Sequence, residues 1–233
     1  CLQIIPEKVR RYMTERERVL KLLRGEQPDR VPWFGDLDYW IPYAKAEGIV
    51  DQSADGEGLY QLHRDLGVGF YLQGYFPFVG EAENVDITRT EEGDSVITEW
   101  VTPVGSLRQV DTRLKASYTT ATREHMIKTI DDLRTYVYME EHTAYRADYA
   151  LARRRHSLIG DNGVVLCYLP KSPYMELVAL KAGIMAVVEM ATDEPEEFDE
   201  LLSRLETCAD KAAQLAVDSP AELLMIPENI SSE

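Results

Sequence analysis

The sequence predicts an α/β chain built on a parallel sheet, and three observations carry that expectation. Short apolar runs alternate with segments of helical spacing, which is the rhythm of repeated βα units. The run GVVLCYLP (163–170) is apolar almost without interruption, as a strand buried on both faces requires. No G-x-G-x-x-G or P-loop follows any such run, which sets aside the usual dinucleotide and NTPase folds. A (β/α)8 barrel of the TIM type is the architecture that remains.

The elements follow in order. Thr14 and Glu17 make a T-x-x-E capping box before ERERVLKLL, with Val19, Leu20, Leu22 and Leu23 as its apolar face and Gly25 placed to end it. Met13 stands directly before this helix, so residues 1–12 read as a loosely held extension and 13–233 as the folded domain. RVPWFG is a short buried strand, and DYWIPYAKAEG a helix that carries Pro42 in its first turn, where the missing N–H is tolerated. EGLYQLHRDLG is helical, and VGFYLQGYFPF is a strand running into a loop.

Residues 84–117 change character: β-branched residues alternate around a turn at Glu92-Gly93-Asp94, which predicts an antiparallel β-ribbon leaving the main fold. TIDDLRTYVYM returns to helical spacing, and EEHTAYRADYALARRRHSLIG reads as a longer helix ending at Gly160. After the strong strand come helices through YMELVALKAG, IMAVVEMATD and EPEEFDELLSRLETCADKAAQLAVD, then a last strand in AELLMIPEN. Core strands are thus expected near 31–34, 68–72, 163–168 and 222–226. That is about four, where a closed barrel needs eight over roughly 250 residues. The expected fold is an incomplete barrel with a β-ribbon insertion.

Composition narrows the function. The 233 residues hold 41 acids against 25 bases, a net charge of -16, which disfavours nucleic acid as a main partner. No apolar run approaches the roughly 20 residues of a membrane span, and the N-terminus lacks a signal-peptide h-region, so a cytoplasmic location is expected. Cysteines stand at 1, 167 and 208 without a CxxC pair, and the four histidines show no HExxH spacing. No metal ligand set is identifiable from spacing alone.

Candidate site residues cluster where the expected strands end, since barrel enzymes carry their chemistry at that rim. Asp36 follows the first strand and is a candidate for proton transfer, or else a cap for the next helix. Trp33, Asp38 and Tyr39 stand beside it as candidate substrate contacts or ordinary rim packing. Tyr168, Ser172 and Tyr174 follow the strongest strand in a loop with Lys171, readable as substrate contacts or as a proline-shaped loop. Glu228, a candidate base, and Asn229, a candidate substrate contact, end the last strand.

Four stretches carry a resemblance: MTERERVLKLLRGEQPDRVPW, IKTIDDLRTY, GDNGVVLCYLPKSPYMELVALKAG and MATDEPEEFDELLSRL. Together they resemble the uroporphyrinogen decarboxylase superfamily, whose members are single TIM barrels, and this chain would be the N-terminal portion of one. True decarboxylases of that superfamily follow the R-x-P strand with an arginine-bearing segment, which grips a polycarboxylate through guanidinium forks. Here that place reads WFGDLDYW, with two acids and no arginine. The resemblance therefore points to the cobalamin-dependent methyltransferase branch. It implies a small methylated donor, a corrinoid protein as partner, a homodimer, and zinc ligands in the C-terminal part of the barrel. A decarboxylase and a non-catalytic binding barrel are the alternatives.

Overall fold

The structure, a computed structural model, describes residues 12–38, 40–52, 56–70 and 75–228. Its class is α/β. Helix α1 (Glu15–Leu23) starts on the expected capping box: the Glu17 amide donates to Thr14 Oγ1 at 3.1 Å, and the Thr14 amide donates to Glu17 Oε2 at 2.9 Å. Gly25, at φ 72°, takes the left-handed conformation that ends the helix. The buried face differs from expectation. Glu15 and Arg18 are buried, whereas Leu22 and Leu23 are 49% and 57% exposed. Polar bonds hold this helix instead: Arg18 donates to Glu15 at 2.8 Å and to Asp29 at 2.7 Å, tying α1 to the Pro-Asp-Arg loop.

Helices α2 (Trp40–Ala46) and α3 (Gly56–Asp65) flank the first two strand segments. Phe34 forms a parallel bridge with Gly69, and Phe70 forms another with Gly163. Strands β7 (Leu166–Tyr168) and β8 (Leu223–Met225) pair in parallel, Leu166 opposite Leu223. Hydrogen bonds run through the same array: Gly69 N–H to the Trp33 carbonyl at 2.8 Å, and Tyr168 N–H to the Tyr75 carbonyl at 2.8 Å. The four expected strand segments are thus parallel neighbours in chain order, but the first two meet their neighbours only through single bridges, and residues 71 and 72 lie outside the described residues. Among the described residues they do not close into a barrel. RVPWFG is not the buried strand expected, since Val31 and Trp33 are 85% and 70% exposed. At Gly163 the chains approach so closely that an added Cβ would overlap the Phe70 carbonyl. Helix α5 (Ala150–Ile159) covers the array, with Ala152 and Ile159 packed on Phe70, Val165 and Cys167.

A large excursion leaves the array after the second strand. Its ends are β1 (Phe78–Ala82) and β6 (Thr143–Ala147), which pair antiparallel from Phe78↔Ala147 to Ala82↔Thr143. Between them lie the meander β2 (Asp86–Glu92), β3 (Ser95–Thr102), β4 (Gly105–Leu114), β5 (Thr119–Glu124) and helix α4 (Ile130–Glu141). The antiparallel sheet continues past the expected limit of 117, because the turn at 115–118 returns TTATRE along β4. The single helix expected over 140–160 is also corrected. Thr143–Ala147 forms β6, since its backbone groups have a ladder partner in β1, and the helix restarts only at Ala150.

After β7 come the short helix α6 (Pro173–Glu176), a π-helical turn (Leu177–Lys181), α7 (Ile184–Asp193) and the long α8 (Pro195–Val217). These pack on α4 and the inner face of the meander around Leu107, Ile127, Leu133, Val137, Leu177 and Val187, each 2% exposed or less. Glu222 joins the molecule's two ends. It accepts from the Val165 amide at 3.1 Å and forms a two-pronged ion pair with Arg16 of α1. Among the described residues no helix is long and apolar enough to cross a membrane.

Candidate functional site

The residues expected at the rim separate into two places. At the end of the first strand, Trp33 is 70% exposed. Asp36 Oδ1 accepts the Asp38 amide at 3.0 Å, an Asx turn that leads into α2. Partial burial, with Asp36 beside it, raises the Asp38 carboxyl above its ordinary range. His63 of α3 faces this pair. It is buried edge-on against Phe70, with ring centroids 5.0 Å apart, and burial pushes its pKa down. Its spacing carries no motif, so only the fold brings it to Asp36 and Asp38. Tyr39 and Asn229 lie outside the described residues.

The ends of the third and fourth strands form the second place. Ser172 caps α6 through its hydroxyl, which accepts the Met175 amide at 3.4 Å, while its own amide donates to Glu228 Oε1 at 2.5 Å. Glu228 Oε2 is buried with no hydrogen-bond partner among the described residues. The Lys171 ammonium donates to the Pro227 carbonyl. A groove of about 400 Å³ runs here between the 169–173 loop, α8 and Glu228. Tyr168 turns its edge to Phe76 at 5.6 Å, and Tyr174 is 44% exposed on α6. The structure thus brings Ser172 and Glu228 together and leaves Trp33 and Asp36 elsewhere.

Behind Pro170 and Lys171, which line both spaces, lies a more enclosed chamber of about 180 Å³. Its walls come from three remote segments: Phe76 and Phe78 with Tyr136, Glu140 and Tyr145 from the excursion; Glu176 and Leu180 after β7; Leu205, Ala209 and Ala212 on α8. Three rings are tilted on one another, Phe76 to Phe78 at 5.8 Å and 66°, and Phe78 to Tyr145 at 6.0 Å and 79°. The Tyr145 hydroxyl donates to Glu140 at 2.7 Å, and the Tyr136 hydroxyl to Glu176 at 3.3 Å. Burial first, and the carboxylates second, push both phenols well above their ordinary pKa, so both remain neutral donors. Glu176 also pairs with Lys181 at 3.4 Å, whose ammonium sits 5.3 Å over the Tyr136 ring.

Sequence reasoning missed this chamber. The one local signal was Tyr136 and Glu140 at i and i+4, which share a helix face, and that spacing also suits a solvated helix. The two described cysteines contribute no nucleophile: burial raises the Cys167 thiol to about 11 and also raises Cys208. Among the described residues no group of three or more His, Cys, Asp or Glu side chains is arranged to hold a metal ion. Comparison with family models, with curated proteins and with solved structures finds no match to this chain.

Proposed function

We propose that this chain is the N-terminal portion of a uroporphyrinogen-decarboxylase-like barrel that transfers a methyl group from a small donor, bound in the chamber, to a corrinoid protein. The observation that carries the reading is the lining of the chamber and groove. Aromatic rings line the chamber, the carboxylates of Glu140, Glu176, Glu206, Asp210 and Glu228 and the ammonium of Lys171 line the two spaces, and no arginine is among them. A substrate crowded with carboxylates needs guanidinium forks, so the decarboxylase alternative lacks its binding chemistry here. The chain-order parallel pairing of the four strand segments supports the partial barrel, since consecutive βα units place each strand beside the last.

The described residues offer no zinc ligand set, so no step of the reaction is routed through zinc. This chain's own part is to bind and orient the donor. Apolar rings exclude water from the chamber, and the tyrosine O–H groups fix the carboxylates they donate to. Glu228, just past the fourth strand with one oxygen unpartnered among the described residues, is the proposed proton acceptor at the groove. The test incubates the protein with reduced cobalamin and a panel of O-methyl and N-methyl donors, following the visible spectrum. Donor-dependent spectral change supports methyl transfer. Turnover of uroporphyrinogen without any such change overturns it.

A further inference from the structure

The charge balance inside the chamber is uneven. Glu176 is neutralised by Lys181, whereas Glu140 meets the neutral hydroxyls of Tyr145 and Tyr136, and no lysine or arginine pairs with it within 4 Å among the described residues. It shares the chamber wall with Phe76, Phe78 and Tyr145, whose rings are tilted in succession, Phe76 on Phe78 and Phe78 on Tyr145. A carboxylate at the side of several ring faces favours a positive charge twice over, once by direct attraction and once through the ring quadrupoles. Two ammonium groups border these surroundings, Lys181 over the Tyr136 ring and Lys171 in the chamber wall, where it donates to the Pro227 carbonyl. The volume of about 180 Å³ exceeds the ~10–15 Å³ that one water centre occupies, so the chamber admits a small organic molecule.

We infer that the chamber binds a small substituted ammonium ion, with Glu140 as its counter-charge and Phe76, Phe78 and Tyr145 as its cage. The bland alternative is a solvent-filled gap whose acids serve only to anchor tyrosines. The uncompensated charge of Glu140 separates the two, because an anchor for Tyr145 works as well with a neutral amide. This inference rests on the reading of the chamber as the substrate site and does not require methyl transfer.

Calorimetric titration of the protein with choline and with its neutral carbon isostere 3,3-dimethyl-1-butanol tests it directly. Choline is expected to bind about 5- to 30-fold more tightly, the worth of a cation among aromatic faces. Glu140→Gln removes the counter-charge but not the rings and is expected to lower that preference several-fold, with a much smaller effect on the alcohol. Tyr145→Phe keeps the cage and is expected to retain most of it. Equal binding of choline and the alcohol overturns the cation inference but leaves the chamber as a substrate site. Binding of methoxybenzoate with no binding of choline does the same. No binding of any of the three, with the variants folded by circular dichroism, overturns both the inference and the reading beneath it.

Discussion

Replacing Glu222 by Ala removes a side chain that joins α1 to the third and fourth strands. Its carboxylate meets Arg16 in a pair whose side chains are 23% and 16% exposed, and the same group accepts the Val165 amide at 3.1 Å. Truncation leaves a mostly buried guanidinium without its counter-charge, held only by the long bond to the Gly163 carbonyl at 3.4 Å, and a strand N–H without its acceptor. Breaking a fully buried pair costs about 3–5 kcal/mol, and an orphaned amide about 1–3 kcal/mol. Partial exposure of both side chains discounts the first figure, so about 3 kcal/mol in total is expected. For a chain of this size that corresponds to a fall in Tm of about 6–12 °C. Glu222→Gln keeps a neutral acceptor for Val165 and is expected to cost about half as much. Urea unfolding followed by far-UV circular dichroism reads both. A loss under about 0.5 kcal/mol for the alanine variant refutes the reasoning, because surface ion pairs are worth no more than that.

Gly163→Ala is expected to destabilise by at least about 2 kcal/mol, since its Cβ meets the Phe70 carbonyl rather than a side chain that can turn aside. An unchanged urea midpoint would contradict the close approach of the second and third strands. Arg18, through its hydrogen bond, holds the Asp29 carboxyl down at about 2 from the ordinary 3.8. The folded pKa is therefore the lower one. The stabilisation is complete above 3.8 and is lost as pH falls from 3.8 toward about 2, where the folded carboxyl also protonates. The Tm gap between parent and Asp29→Asn should accordingly close across that window, and a gap independent of pH would count against the Arg18 contact.

The parallel array was legible because each strand segment is a local apolar run bounded by turn residues, as in GVVLCYL. The capped start and glycine stop of α1 were legible for the same reason: Thr14, Glu17 and Gly25 act within one or two turns of chain. The face that α1 buries was not. Its anchors are Arg18 to Asp29 and Arg16 to Glu222, the latter 206 positions apart, and an apolar pattern on Leu22 and Leu23 gave the opposite indication. Strand β6 was hidden because Thr143–Ala147 has no extended preference strong enough to outweigh helical flanks, and its ladder partner lies 65 residues earlier at Phe78–Ala82. At the rim, Ser172 and Glu228 were reachable from strand ends alone. Tyr136, Glu140 and Tyr145 were not, for they join the chamber only through an excursion whose path periodicity does not reveal.

The antiparallel pairing of Ala82 with Thr143 has a consequence for how such a molecule can diversify. The two ends of the excursion leave the array side by side, while α4 and the inner face of the meander share a core with the helices after β7. The freedom to vary therefore lies in the exposed strand β2 and its turns and in the side chains aimed into the chamber. The excursion supplies Phe78, Tyr136, Glu140 and Tyr145 to the chamber wall. Under the proposed reading, ligand preference would be set by these side chains of the excursion, while Lys171, Ser172 and Glu228 belong to the strand ends of the array. Point changes at Phe78, Tyr136, Glu140 and Tyr145, rather than exchange of the whole segment, are then the route to altered preferences on a frame whose core is kept.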